Sequence, residues 1–236
     1  MAIFITEGIV IQKIDYSETS LILKVLTPDF GVKSFIFPGA KRKKKKGQLV
    51  FPLSILSITY FQRKESDLAR ISSVELAEVC KQIPFDPIKS SVVFFVNEVL
   101  HQCIKEEDAN PSLFLFVKNL IQVIDIQLNL SNIPVQFLLE LLKHLGYYPN
   151  IEENAIYFDY LNGKLTRNEP AHPNYMREEN TAFLIQVMQS NLTEESLKIP
   201  GKNRQRVLTG LLDYYKVVLG DFKPLKSLDV LEAVLH

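Results

Sequence analysis

The stretch TSLILKVLTPDFGVKSFIFPG, residues 19–39, decides the fold. Leu21, Leu23 and Val25 alternate with Ser20, Ile22, Lys24 and Leu26, the period of two that marks a strand. Pro28-Asp29-Phe30-Gly31 supplies turn chemistry. The alternation then resumes, with Lys33, Phe35 and Phe37 opposite Val32, Ser34 and Ile36, until Pro38-Gly39 breaks it. Upstream, residues 2–14 are rich in β-branched and apolar side chains (Ile3, Phe4, Ile5, Ile9, Val10, Ile11). Downstream, residues 49–61 form a long apolar run in which Pro52 predicts an edge or bulge position, and residues 67–76 supply a last strand. Five strands with almost no helix between them are best satisfied by a small closed or nearly closed barrel, which hides sheet edges. A five-stranded barrel of this size suggests an OB-fold.

Beyond residue 80 the period changes to that of helices. Asp86-Pro87 reads as an N-cap followed by proline at the first helical position, and Ile88, Val92, Phe95, Val99 and Cys103 recur at helical spacing. Asn110-Pro111 repeats the cap signal before Leu113, Val117, Leu120, Ile124 and Leu128. Leu138, Leu141, Leu142 and Leu145 mark a third helix, stopped by Gly146. Asn162-Gly163, between YFDYL and KLT, predicts a β-hairpin. Helical patterns return at about 178–190, 202–219 and 226–235. The expected fold class is therefore α+β: an OB-fold barrel over residues 1–80, then a mostly helical domain over 81–236 with a hairpin insertion at about 147–170.

The 27 basic and 27 acidic residues cancel, but unevenly. Residues 1–80 carry 12 basic against 8 acidic side chains and residues 81–236 carry 15 against 19, which suggests two domains with different partners. Two cysteines, Cys80 and Cys103, cannot build a disulfide framework and read as small buried hydrophobes. No apolar run approaches the length of a membrane span, and the N-terminus has no signal-peptide pattern, so a reduced cytoplasmic setting is expected. The nine glycines form neither GxGxxG nor a P-loop, so no cofactor is implied. The four histidines are scattered, and no spacing defends a catalytic constellation.

One feature carries chemistry. Lys41, Arg42, Lys43, Lys44, Lys45 and Lys46 are consecutive cations bracketed by Gly39 and Gly47. Charge at this density resists burial and predicts a mobile exposed loop. It could be a solvated loop that aids solubility, or a polyphosphate-binding element acting through counterion release. Its place between two strands of a small barrel favours the second, because such barrels bind single strands through loops and one sheet face. Lys13, Lys24, Lys33, Arg63, Lys64 and Arg70 could extend the patch, and Tyr16, Phe35, Phe37, Tyr60 and Phe61 are the nearby aromatics, most of them expected in the core. Lys202, Arg204 and Arg206 open a helix as a polar face or as a second cationic site. Ser227 can cap the last helix.

Several segments together resemble the RecO family of bacterial recombination mediators. They are EGIV (7–10) with DYSETS (15–20), PGAKR (38–42) leading through the basic run to GQL (47–49) and FPL (51–53), NEVL (97–100), HLGY (144–147) and KPLKS (223–227). The resemblance implies an OB-fold followed by a helical domain, and no enzymatic turnover. It implies binding to single- and double-stranded DNA, strand annealing, and loading of RecA with RecR and often RecF; Lys33, Arg63 and the run 41–46 are the residues expected from their charge to meet the DNA. It also implies contact with the C-terminal tail of single-strand-binding protein, for which Lys202, Arg204 and Arg206 are the candidate cations, and a bacterial cytoplasmic, nucleoid-associated location. Many members carry a four-cysteine zinc site after the segment matching residues 144–146; here residues 147–170 hold no cysteine. The hairpin, pinned by Ile156, Phe158, Tyr160 and Leu165, is expected in the metal's place. Two other classes compete with the DNA mediator: an interaction scaffold with an incidental basic loop, and an enzyme assembled from dispersed residues, which the lack of nucleotide or metal motifs disfavours.

Overall fold

A computed structural model describes residues 2–42, 46–62, 68–104, 109–192 and 197–235. The chain divides into two compact units, Met1–Asp125 and Ile126–His236.

In the first unit, β1 (Ala2–Asp15), β2 (Leu21–Thr27), β3 (Gly31–Phe37), β4 (Ile55–Gln62) and β5 (Ala69–Leu76) form a closed barrel in the order β1-β2-β3-β5-β4. Closure comes from the antiparallel β1–β4 ladder, which runs from Ala2↔Gln62 to Ile9↔Ile55. The alternating residues read from sequence line the interior: Leu23, Val25, Phe35 and Phe37 are buried with Leu56, Ile58 and Tyr60. Gly8 lets β1 and β2 approach, since a Cβ there would lie 2.3 Å from Val25 Cγ1.

The apolar run 49–61 is not one strand. Its start belongs to a short 3-10 helix, Lys46–Leu49, and to a turn through Leu53, whose φ of 59° is left-handed. Leu53 nevertheless buries its side chain, and its N–H donates to the Val10 carbonyl. Pro52 therefore lies in a turn before β4; the ladder irregularities fall at Val10/Gln12 and Thr59/Tyr60.

Two helices complete this unit, α1 (Pro87–Cys103) and α2 (Pro111–Ile126). Asp86 caps α1 by accepting from the Ile88 and Lys89 N–H groups. The Asp125 carboxylate accepts from the Lys81, Gln82 and Ile83 N–H groups at 2.8–2.9 Å, and buried Lys89 donates to the Asp125 carbonyl at 2.7 Å. Lys118 of α2 bridges Glu7 and Glu78 at 2.6 and 2.9 Å. The last barrel strand ends at Leu76 and α1 begins at Pro87, while α1 and nearly all of α2 pack in one unit with the barrel.

The second unit contains α3 (Ile133–Leu145), α4 (Glu178–Gln189), α5 (Gly201–Leu219) and α6 (Leu228–Leu235). Gly146 ends α3 at φ 78°. Between α3 and α4 the hairpin grows into a four-stranded sheet in the order β6-β8-β7-β9: β6 (Asn150–Ile151), β7 (Tyr157–Asp159), β8 (Lys164–Thr166) and β9 (Tyr175–Met176). The hairpin loop has four residues, 160–163, rather than a two-residue Asn-Gly turn, and only Gly163 takes positive φ. Asp159 organises it by accepting from the Leu161 and Asn162 N–H groups and from Asn162 Nδ2. Phe158, Tyr160 and Leu165 are buried as expected, but Ile156 is exposed: it precedes β7 and points away from the core.

Candidate nucleic-acid interface

The run 41–46 leaves and rejoins the barrel at a narrow neck. Gly39 turns the chain with φ 65° after β3, and Ala40 is buried. Gly47 returns directly against Ala40; a Cβ on Gly47 would lie 2.2 Å from the Ala40 carbonyl oxygen. Only glycine fits this approach. The outgoing side is fastened to the β1–β2 connection. Lys41 N–H donates to the Thr19 carbonyl at 3.1 Å, and Lys41 Nζ reaches the Ser17 carbonyl at 3.0 Å and the Asp15 carboxylate at 2.8 Å. Lys41 thus serves as an anchor with a local counter-ion, whereas Arg42 is exposed just beyond it.

Beside the neck lies the outer face of β2 and β3. The registers Ile14↔Ile22, Ile22↔Ile36 and Ile36↔Arg70 place these residues in one row across four strands, and Gln12↔Lys24 and Lys24↔Ser34 form the next row. Tyr16, 57% exposed, stands in the β1–β2 connection. The face therefore offers apolar side chains and two cations across four strands, close in sequence to the lysine neck. That combination suits a flexible phosphate backbone with unstacked bases.

Lys33 does not join this face. The alternation that buries Phe35 also turns Lys33 toward the inner side of the barrel, where Nζ donates to Gln62 Oε1 at 2.7 Å and sits 4.4 Å from the Phe30 ring centroid. Burial lowers its pKa. Phe35, Phe37 and Tyr60 are core residues, so of the aromatics read as base-stacking candidates only Tyr16 is fully on the surface. Lys43, Lys44, Lys45, Arg63 and Lys64 lie outside the described residues, as does the side chain of Lys46.

The three cations of α5 separate. Lys202 and Arg206, four residues apart, share an exposed side. Arg204 is turned away, donating to the Ile199 carbonyl at 3.3 Å and the Leu235 carbonyl at 2.9 Å beside Pro134, Leu208 and Leu231. Burial lowers its pKa. Sequence reading treated the six loop cations as equivalent and did not single out the Asp15–Lys41 anchor or Gly47 as the neck; both depend on contacts between loops that carry no periodic signal.

Among the described residues no three His, Cys, Asp or Glu side chains are placed to hold a metal ion. Burial, then Asp125 and Glu78, push the Cys80 thiol up to about 11, which disfavours a nucleophilic role. No described helix is long and apolar enough to cross a membrane.

Two family models match: "Recombination protein O N terminal" over residues 1–80 and "Recombination protein O C terminal" over residues 84–229. Similar curated proteins share the description "DNA repair protein RecO". That of Bacteroides fragilis is 34% identical over 236 residues, covering 96% of this chain and 97% of its own. That of Flavobacterium psychrophilum is 34% identical over 234 residues, covering 97% and 98%. That of Phocaeicola vulgatus is 32% identical over 233 residues, covering 96% and 97%.

Proposed function

Since the chain belongs to the RecO family of DNA repair proteins, we propose that it works as a non-enzymatic recombination mediator in the bacterial cytoplasm. It binds single- and double-stranded DNA, anneals complementary strands, and with RecR and RecF helps RecA onto strands coated by single-strand-binding protein. The observation that carries this reading is the cationic run 41–46 held at the Ala40–Gly47 neck beside the outer face of β2 and β3. Lysines at a neck follow a phosphate backbone without fixing a sequence, so binding is nearly sequence-independent. Cations that neutralise two strands reduce their repulsion and leave base edges free to pair. The DNA surface then comprises Arg42, Lys43, Lys44, Lys45, Lys46, Lys24, Arg70, Tyr16 and Arg63, with Lys41 as its anchor and Lys33 behind it.

For the acidic, apolar tail of single-strand-binding protein, Lys202, Arg204 and Arg206 at the start of α5 are the proposed cations. Calorimetry of a tail peptide on the intact chain should show binding that weakens in Arg204→Ala; equal affinity would remove Arg204 from the partner site. The central experiment is annealing of complementary oligonucleotides, bare and coated. Acceleration of both supports the mediator reading, and no acceleration at low salt overturns it. The scaffold reading draws support from an apolar groove of about 490 Å³ in the first unit, where Phe51, Val79, Phe85 and Phe94 are exposed. Salt-dependent binding to unstructured single strands separates the two.

A further inference from the structure

The first strand is longer than its neighbours can cover. β1 pairs with β4 from Ala2 to Ile9 but with β2 only from Ile9 to Asp15, because β2 turns back into β3 at Thr27. Among the described residues no strand pairs with Ala2–Glu7 on the side away from β4, so that side is an open edge. Along such an edge alternate residues turn their N–H and C=O groups outward, and proteins usually blunt it with lysine or proline. Here residues 2–6 read AIFIT, without a charge, and Ile3 and Ile5 are 64% and 72% exposed. The next charge along the strand, Glu7, is engaged by Lys118 at 2.6 Å. The barrel mouth beside the edge adds an independent observation. Phe4 stacks on Tyr60 with ring centroids 5.5 Å apart and stays half-exposed, as does Phe30 in the β2–β3 turn. Lys33 Nζ reaches into the same mouth, 4.4 Å from the Phe30 centroid and 5.2 Å from that of Tyr60. Its hydrogen-bond acceptor among the described residues is the neutral amide of Gln62, and no described carboxylate pairs with it. A partly buried cation held by rings and an amide is one that an incoming carboxylate would compensate.

We propose that the Ala2–Thr6 edge docks an extended peptide segment of a partner protein as an added strand, with an Asp or Glu of that segment paired to Lys33. Neighbouring strands lie about 4.8 Å apart and side chains directly opposite one another share a face. The peptide residue opposite Phe4 therefore points into the mouth, where Lys33 supplies the charge. The residues on either side of it point outward and extend the rows Ile3↔Phe61 and Ile5↔Thr59, so they are apolar. A nucleic-acid strand carries no alternating N–H and C=O groups to match such an edge; a peptide backbone does. The site goes beyond the mediator reading and lies away from the lysine neck, which is fastened at Asp15 and Ser17 by the far end of β1.

The test titrates the intact, isotope-labelled chain with a capped hexapeptide in which valine alternates with threonine, aspartate and threonine, and follows backbone amide shifts. The amides of Ile3, Phe4, Ile5 and Thr6 should move together with that of Lys33. Replacing the peptide's aspartate by asparagine should weaken binding about tenfold in the parent and make no difference in Lys33→Gln. N-methylation of alternate peptide residues should abolish binding when it blocks the edge facing β1 and spare it when it blocks the other. Ile5→Lys, at an exposed position, should weaken every peptide with the near-ultraviolet circular dichroism unchanged. Shifts confined to the groove around Phe51 and Phe94, equal effects of methylation on both edges, or no shift at millimolar peptide would each overturn the inference. So would an aspartate preference that persists in Lys33→Gln. Oligothymidylate moving the Ile3–Thr6 amides where the peptide does not would overturn it in favour of nucleic acid.

Discussion

The barrel and the small sheet of the second unit reach order by different means. Each barrel strand has two hydrogen-bonded neighbours and runs for seven to fourteen residues, so the ladder itself defines the structure. The strands of the small sheet are two or three residues long and leave β6 and β9 as edges. A ladder so short is not stable alone. It is held by side chains: Phe158 packs edge-on against Tyr160 at 5.1 Å and Tyr214 at 4.8 Å, Tyr214 donates to the Tyr147 carbonyl, and Asp159 gathers the hairpin loop. A sheet made by its backbone can carry a demanding loop, while a sheet made by its side chains cannot spare many of them.

The sharpest way to break that contrast is a pair of core truncations. Phe35→Ala and Phe158→Ala each remove a fully buried ring and should each cost about 3–5 kcal/mol in denaturant unfolding. Amide exchange should differ. Phe35→Ala should leave β1–β5 protected at a lower level, whereas Phe158→Ala should abolish protection over Tyr157–Asp159 and Lys164–Thr166. Persistent protection there would show that the short ladder stands by itself.

Next in size is Asp159→Ala, expected to cost about 2–3 kcal/mol because it strands three hydrogen-bond donors of the loop. Burial pushes the Asp159 carboxyl up, but hydrogen bonds from Asn162, the neighbouring His172 and the Leu161 N–H outweigh it and hold the carboxyl below its ordinary range. The folded value is thus below the unfolded one, and the unfolded chain takes the proton first as pH falls. The contribution of Asp159 is fully present above about pH 4 and disappears below it, as the pH drops through the folded value. Asp125 in the first unit is lowered in the same sense, by three backbone N–H groups and Lys89 against burial. Stability should therefore be flat in these groups near neutrality and fall on acidification, less steeply in Asp159→Asn. An unchanged acid limb in that variant would remove the carboxylate from the account.

Gly47→Ala should cost about 1–3 kcal/mol, since the new methyl must displace the Ala40 carbonyl. It should also weaken DNA binding if the neck positions the run; a variant with lost stability but parental affinity would separate the two roles. The smallest effect on stability, within about 0.5 kcal/mol, belongs to Lys43→Ala/Lys44→Ala/Lys45→Ala/Lys46→Ala, which touches no core position. That variant should make the single-strand salt slope shallower by about 2.8, for four lost phosphate contacts, and weaken single- and double-strand binding together. Parental behaviour across the salt series would make the run a solubility feature.

The same contrast explains what could be read in the sequence. Long strands and helices repeat a period, so Leu21 to Phe37, the Asp86 cap and the Gly146 stop were legible, as was the barrel they imply. Two-residue strands have no period, so β6 and β9 went unseen. Composition could not distinguish the turn around Leu53 from the strand that follows it, because burial on the barrel demands apolar residues in both. The cationic run was legible from charge alone, but the inward turn of Lys33 competed with that charge, and its strand position prevailed. Arg204 and Arg206, two apart on α5, face different clefts by helical geometry, a division their shared sign conceals.

The neck has a consequence for how the protein can vary. Ala40 and Gly47 touch whatever length of chain runs between them, so residues can be added or removed there without altering a strand register. Doubling such a segment costs only about 0.6 kcal/mol of closure entropy, while each added lysine that meets a phosphate steepens the salt slope by about 0.7. The number of charges offered to a strand is thereby nearly uncoupled from the barrel that presents them, and the ionic strength at which the molecule releases its strand can shift by insertion or deletion alone.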